Sequence, residues 1–318
     1  MSDSGWNTIH SDAGVFTELV EKLDISDIQF DDLYSIDKES LLESSPIYGV
    51  VFLFKYSKID REYSGNGNRP LTGEYDVDYQ EHGIFFANQT IQNACATQAV
   101  LNVLLNKSDQ VDLGEELGNF KSFVTGFDSE LCGETISNSD LIRKVHNSFS
   151  APSSIIDEDK QKPPRGYDDK NDGLFHFIGY LQTNGFIYEL DGLKRYPIKH
   201  VPCSSDQEFC EKLPGVIRER IAKYGEEELR FSLLSITNNK LKQYEESGEY
   251  DRFNSELMKR ETWKRENELR KFDYTTLMIQ LLKNVGKELN DEEWAKLIEN
   301  GKKTGQEKLL ASYFKKKQ

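Results

Sequence analysis

The sequence predicts an α/β fold, a central β-sheet flanked by helices, followed by a mostly α-helical C-terminal extension. Three observations predict it. Residues 47–56 (IYGVVFLFKY) form a strand that is apolar on both faces, the pattern of a central strand covered on both sides. Residues 174–181 (LFHFIGYL) and 186–190 (FIYEL) are aromatic and β-branched runs joined through Asn184-Gly185, a strong hairpin turn signal. After residue 238 the composition changes. Residues 239–318 carry 18 Lys+Arg and 15 Asp+Glu with narrow apolar stripes at helical spacing.

The elements follow in order. Ser11-Asp12 starts a helix bearing Phe16, Leu19, Val20 and Leu23 at helical spacing. Residues 24–45 are acidic and loosely apolar, and read as loop with one short helix. Residues 57–80, polar and rich in Gly and Asn, read as a surface loop. A helix begins near Asn93 and is apolar nearly all round, through Ala94, Ala99, Val100, Leu101, Val103, Leu104 and Leu105, so it is expected to be buried. Residues 113–124 and 137–149 read as helices. Residues 150–173, with Pro152, Pro163, Pro164, Gly166 and Gly173, form a loop long enough to be a lid over a site. Residues 209–223 form a helix and 229–236 the last strand. Residues 239–271 read as a long exposed helix broken near Ser247-Gly248. Tyr274, Leu277, Met278, Leu281, Leu282 and Val285 then make an apolar stripe, and another helix starts at Asp291.

Chemistry gathers at two places. Cys95 falls in the first turn of the buried helix, where unpaired N–H groups and the helix dipole favour a thiolate. Gln89, six residues upstream, carries an amide suited to donating to an oxyanion. A lone cysteine at such a place is ordinarily a small core residue. The hairpin changes that weighting. With Asn184-Gly185 as the turn, Thr183 pairs with Phe186 and His176 falls opposite Leu193, which puts Asp191 at a diagonal His176 can reach. Cys95, His176, Asp191 and Gln89 together supply a nucleophile, a base, a residue orienting the base and an oxyanion donor. His10, His82, His146 and His200 have no such setting, and His146 reads as structural. Cys132, Cys203 and Cys210 are assigned structural roles.

The net charge is −15, concentrated in residues 1–238, which hold 22 Lys+Arg against 40 Asp+Glu. Such a body repels nucleic acid and suits basic partners. There is no run of eighteen apolar residues, so no membrane span is expected. The polar start lacks signal-peptide features, and the four cysteines fit no zinc or disulfide pattern. The expectation is a reducing intracellular compartment, with no metal or organic cofactor required.

Gln89, the run 93–99 (NACATQA), Phe175-His176-Phe177 and residues 188–192 (YELDG) resemble the ubiquitin C-terminal hydrolases, with further likeness at residues 137–140 and 146–149. The resemblance covers roughly residues 5–238 and implies a catalytic domain over residues 1–238. Residues 239–318 resemble the helical docking domain of the larger, proteasome-associated subfamily. It implies a papain-like fold, with Cys95 as nucleophile, His176 as general base and acid, Asp191 orienting His176, and Gln89 stabilising the oxyanion. It also implies a crossover loop at 150–173, ubiquitin as substrate and partner, and docking through 239–318 to a proteasomal ubiquitin-receptor subunit. A chromatin-remodelling complex is a further implied partner, and the implied location is cytoplasmic and nuclear. An alternative is a ubiquitin-binding adaptor, gated until its tail engages a partner. A general papain-like peptidase is disfavoured by the acidic body.

Overall fold

In a computed structural model, residues 5–65, 69–150, 175–224 and 231–315 are described, without the side chains of residues 58, 64, 65, 92 and 306–315. The expected lid at 150–173 lies, beyond Ser150, outside the described residues. In chain order the elements are α1 (Ala13–Lys22), β1 (Ile28–Leu33), α2 (Lys38–Glu43), β2 (Ile47–Lys55), α3 (Lys58–Gly65) and β3 (Glu74–Tyr75). A short 3-10 turn, Gln92–Ala94, leads into α4 (Cys95–Leu104), which is followed by α5 (Gly114–Val124), α6 (Ser129–Asn138) and α7 (Asp140–Asn147). Next come β4 (Phe175–Thr183), β5 (Phe186–Leu190), β6 (Ile198–Pro202), α8 (Asp206–Ile221) and β7 (Phe231–Asn238). The remaining helices are α9 (Lys240–Ser247), α10 (Tyr250–Lys271), α11 (Thr275–Glu288) and α12 (Asp291–Lys315).

The strands form one seven-stranded antiparallel sheet in the order β1-β7-β2-β4-β5-β6-β3. β2 is internal, as its two apolar faces require. Val51 faces a core shared with α1 and α4, whereas Val50, Phe52 and Phe54 face a second core shared with α8. The hairpin has the expected register, Thr183 opposite Phe186 and Gly179 opposite Leu190. Asn184 and Gly185 both have positive φ, as a two-residue turn of this hand needs.

Two glycines let α4 lie close on the sheet. A Cβ at Gly49 or at Gly179 would each come within 2.5 Å of a Val103 methyl. Val103 therefore fills the space above two adjacent strands that any larger residue would occupy. Gly179→Ala is expected to destabilise the fold by about 1–3 kcal/mol through overpacking, measurable as a lowered urea midpoint. An unchanged midpoint would mean that the helix can lift without cost.

Several expectations are corrected. Residues 24–45 contain the edge strand β1 as well as the short helix, because Ile28 and Phe30 are buried while alternate residues pair with charged groups. Residues 57–80 include α3 and the two-residue β3 and are not a plain loop. α6 and β6 were not expected as separate elements. The helical break near Ser247-Gly248 is present, with Gly248 in the left-handed conformation closing α9.

One compact unit comprises residues 1–150 and 173–271. The composition changes at 238/239, yet α9 and α10 belong to this unit. Trp263 packs directly over Gly14, where a Cβ would sit 2.5 Å from its ring, and Asn267 donates to Gly14 O and Glu18. Arg270–Asp12, Lys271–Glu18 and Lys259–Asp31 ion pairs complete the seam. The second unit includes residues 272–318. Within it, Asn290 and Glu293 form a reciprocal capping box that starts α12, and Trp294 lies against Gly286 of α11. No residue of α11 is buried.

Candidate active site

Cys95 is the first residue of α4, and Ala94 before it has no side chain able to cap the helix. No side chain therefore caps the first turn, which is entered directly from the 3-10 turn Gln92–Ala94. Ala96 through Leu104 are all buried, whereas Cys95 is only partly so. The other three thiols are buried and unpaired. Burial pushes Cys132 and Cys210 up to about 11, and raises Cys203 as well, so these thiols stay protonated at neutral pH.

His176, near the start of β4, is buried. Its Nε2 lies 2.7 Å from Asp191 Oδ1. That bond engages Nε2 and leaves Nδ1 as the ring nitrogen free to serve Cys95, whose side chain is close enough to help raise the His176 pKa. The strand ladder ends at Gly179 opposite Leu190, and Asp191 leaves it to reach across to His176. The N–H of Leu193 donates to the same carboxylate oxygen at 3.0 Å, which fixes the turn. Phe54, the cross-strand partner of His176, and Tyr56 both meet the imidazole edge-on, with centroids 5.6 and 5.8 Å away.

The electrostatics match this geometry. Burial alone would push the imidazolium down, but the charge and hydrogen bond of Asp191, with a smaller contribution from Cys95, bring His176 up to about 9. Burial likewise opposes ionisation of Asp191. His176 outweighs it, helped by Arg220 and Lys194, and holds the carboxyl at about 2. The pair is therefore imidazolium and carboxylate at neutral pH. The His176 contribution to stability is complete below its ordinary 6.5 and is lost as pH rises through about 9. The Asp191 contribution is complete above 3.8 and is lost as pH falls through about 2.

Gln89 is held to the same turn. Its N–H donates to Gly192 O at 2.8 Å, and Asn88 Nδ2 donates to Lys194 O at 2.6 Å. A Cβ at Gly192 would sit 3.1 Å from the Gln89 backbone nitrogen, so the two segments are in close contact. Upstream, Gln98 and Asn102 bond to Ala87, and Asn106 bonds to Phe85 through both its N–H and its C=O. These three amides recur every four residues, Gln98 and Asn102 on α4 and Asn106 in the turn just after it, and fasten the 85–89 segment along the helix. Sequence reasoning missed them, although polar residues at a spacing of four on a buried helix were the available signal. Asn88 had no such signal. The expected structural role of His146 holds. It is buried, bonded to Thr97 and to Asn7 O, and burial keeps it neutral.

A thiol beside an imidazolium that is hydrogen-bonded to a buried carboxylate can perform nucleophilic acyl transfer. Among the described residues there is no group of three or more His, Cys, Asp or Glu arranged to hold a metal ion. The sequence model described as "Ubiquitin carboxyl-terminal hydrolase, family 1" matches residues 6–222. The chain belongs to this family. A second model, "Ubiquitin carboxyl-terminal hydrolases", matches residues 251–289, so this hydrolase is of the larger kind with a C-terminal extension. It is 43% identical to ubiquitin carboxyl-terminal hydrolase 2 of Schizosaccharomyces pombe over 305 residues, 93% of this chain and 96% of that protein. It is 34% identical to ubiquitin carboxyl-terminal hydrolase ubh-4 of Caenorhabditis elegans, covering 91% of this chain and 90% of that one. Among solved structures it resembles Trichinella spiralis UCH37 bound to ubiquitin vinyl methyl ester. The TM-score is 0.61 at 30% identity, with 84% of this chain and 99% of that chain covered. The hydrolase is a cysteine-type deubiquitinating enzyme with the α/β fold of this family.

Asp191→Asn removes the charge that holds the imidazolium against burial. The alkaline limb of kcat/KM is expected to move from near pH 9 towards neutrality. An alkaline limb that stays in place would mean that Asp191 does not set the charge of His176.

Proposed function

We propose that this hydrolase cleaves the bond after the C-terminal glycine of ubiquitin in thioester, isopeptide and peptide adducts. The observation that carries this reading is the buried His176–Asp191 hydrogen bond beside the partly buried Cys95. The Cys95 thiolate attacks the glycine carbonyl. The tetrahedral oxyanion is received by the Gln89 side-chain amide and the N–H of Cys95. His176, held as imidazolium by Asp191, protonates the leaving amine or thiol. It then takes a proton from water, which attacks the acyl-enzyme and releases ubiquitin with the thiolate restored. Every catalytic group comes from the chain itself. The excess of acidic residues in 1–238 suits the basic residues near the ubiquitin C-terminus.

The tail has a separate role in this proposal. Tyr274, Leu277, Met278, Leu281, Leu282 and Val285 are all exposed on or beside α11, an apolar stripe of the kind that docks to another protein. With the family resemblance, the favoured partner is a proteasomal ubiquitin-receptor subunit. Leu281→Glu is expected to abolish capture by that subunit and leave turnover of the free enzyme unchanged, since Leu281 is exposed and no residue of α11 is buried. Undiminished capture would remove this stripe from the interface.

The catalytic reading is tested by reaction with ubiquitin bearing a C-terminal electrophile. One ubiquitin is expected to add covalently to the wild type and none to Cys95→Ala. A folded wild type that forms no adduct would favour the gated adaptor. Gln89→Ala should lower kcat by about 10²–10³-fold, the usual effect of losing one oxyanion donor. A smaller change would assign that role to backbone N–H groups alone.

A further inference from the structure

Beneath the catalytic pair lies a buried charge cluster that the reaction itself does not use. Its centre is Arg220 in the last turn of α8, one of the largest fully buried side chains of the protein. Nη1 of Arg220 pairs with Glu189 Oε1 at 2.5 Å. Glu189 is on β5, two residues before Asp191, and is itself fully buried. Its second oxygen accepts from Tyr180 at 2.8 Å and meets His200 Nε2 at 3.2 Å. The Arg220 guanidinium lies over the Phe54 ring, 4.5 Å from its centroid. Phe54 is the cross-strand partner of His176 and meets its imidazole edge-on. Asp60, 3.6 Å from Nη2 of Arg220, accepts from Tyr224 and anchors the far side.

One side chain thus touches both supports of the catalytic pair. Through Glu189 it holds the strand that delivers Asp191, and through Phe54 it holds the ring against which His176 rests. We infer that Arg220 is a positioning residue for the reaction, fixing the His176–Asp191 hydrogen bond through its pairing with Glu189 and its stacking on Phe54. This inference rests on the catalytic reading of Cys95, His176 and Asp191. A buried ion pair is weak evidence for stability, since well-packed apolar residues often serve as well. Arginine is also the cation suited to this place, because a planar guanidinium can stack on an aromatic ring and pair with a carboxylate at once. Lysine would keep the charge and lose the stacked plane. The pull that Arg220 exerts on the Asp191 carboxyl agrees with the geometry.

The test compares Arg220→Lys and the charge-balanced double variant Arg220→Met, Glu189→Gln with wild type, on a fluorogenic C-terminal amide of ubiquitin. Rates of the Arg220 variants are normalised to sites titrated by electrophilic ubiquitin, so misfolded enzyme does not count, and those of Cys95→Ala and His176→Ala to total folded protein. The expected result is a fall in kcat of about tenfold or more with KM within about twofold, because small misplacements of reacting groups slow chemistry more than binding. If the double variant does not fold, Arg220→Lys decides alone. Wild-type kcat per titrated site, or a loss carried by KM, would overturn the inference and leave the ion pair a purely structural role. Cys95→Ala and His176→Ala in the same assay report on the catalytic reading separately. If they turn over like wild type, that reading fails. If they are inactive while the Arg220 variants are fully active, only the present inference fails.

Discussion

A buried imidazole hydrogen-bonded to a buried carboxylate is the constraint on which the site depends. Neither group would keep its charge alone at that depth, and each does so because the other is 2.7 Å away. The requirement reaches outward through the fold. The hairpin must turn in two residues so that Asp191 arrives at the level of His176. Leu193 must present its N–H to the carboxylate, and the strand next to His176 must offer a flat aromatic wall, which Phe54 and Tyr56 supply. A slip of one residue in the β4–β5 register would send His176 and Asp191 to opposite faces.

The proposed nucleophile comes from a different part of the chain and is brought to this pair by packing. α4 is buried along nearly its whole length, yet it carries Thr97, Gln98 and Asn102 inside the core. Buried polar groups need partners, and here the partners do work for the site. Thr97 meets His146 and so the N-terminal segment, while Gln98 and Asn102 bind the backbone that leads to Gln89. The helix that presents Cys95 therefore also holds the segment bearing the expected oxyanion donor. Backbone bonds from Asn88 and Gln89 to the 192–194 turn tie that segment to the Asp191 side. Cys95, Gln89 and Asp191 are consequently members of one hydrogen-bonded frame.

What was legible in the sequence was local and periodic. The all-round apolar pattern after Asn93 announced a buried helix with Cys95 at its start, and Asn184-Gly185 fixed the hairpin register well enough to bring His176 to Asp191. The break at Gly248 could be read because a left-handed residue ends a helix. β1 could not be read, because its charged residues are satisfied by partners more than two hundred positions away, such as Lys240 and Lys259 with Asp31. The same holds for α10. Its sequence looks exposed all round, and only the packing of Trp263 on Gly14 shows that it belongs to the first compact unit. Arg220 and Asn88 act through tertiary contacts for which one sequence carries no period or motif.

The central claim is that the buried carboxylate keeps the buried imidazole charged, and it is tested most directly by a ¹⁵N NMR titration of the wild-type enzyme labelled in its histidines. The account predicts that at pH 8 both ring nitrogens of His176 carry protons, one in a strong hydrogen bond, and that the ring loses a proton near pH 9. A His176 ring already neutral at pH 7 would contradict it.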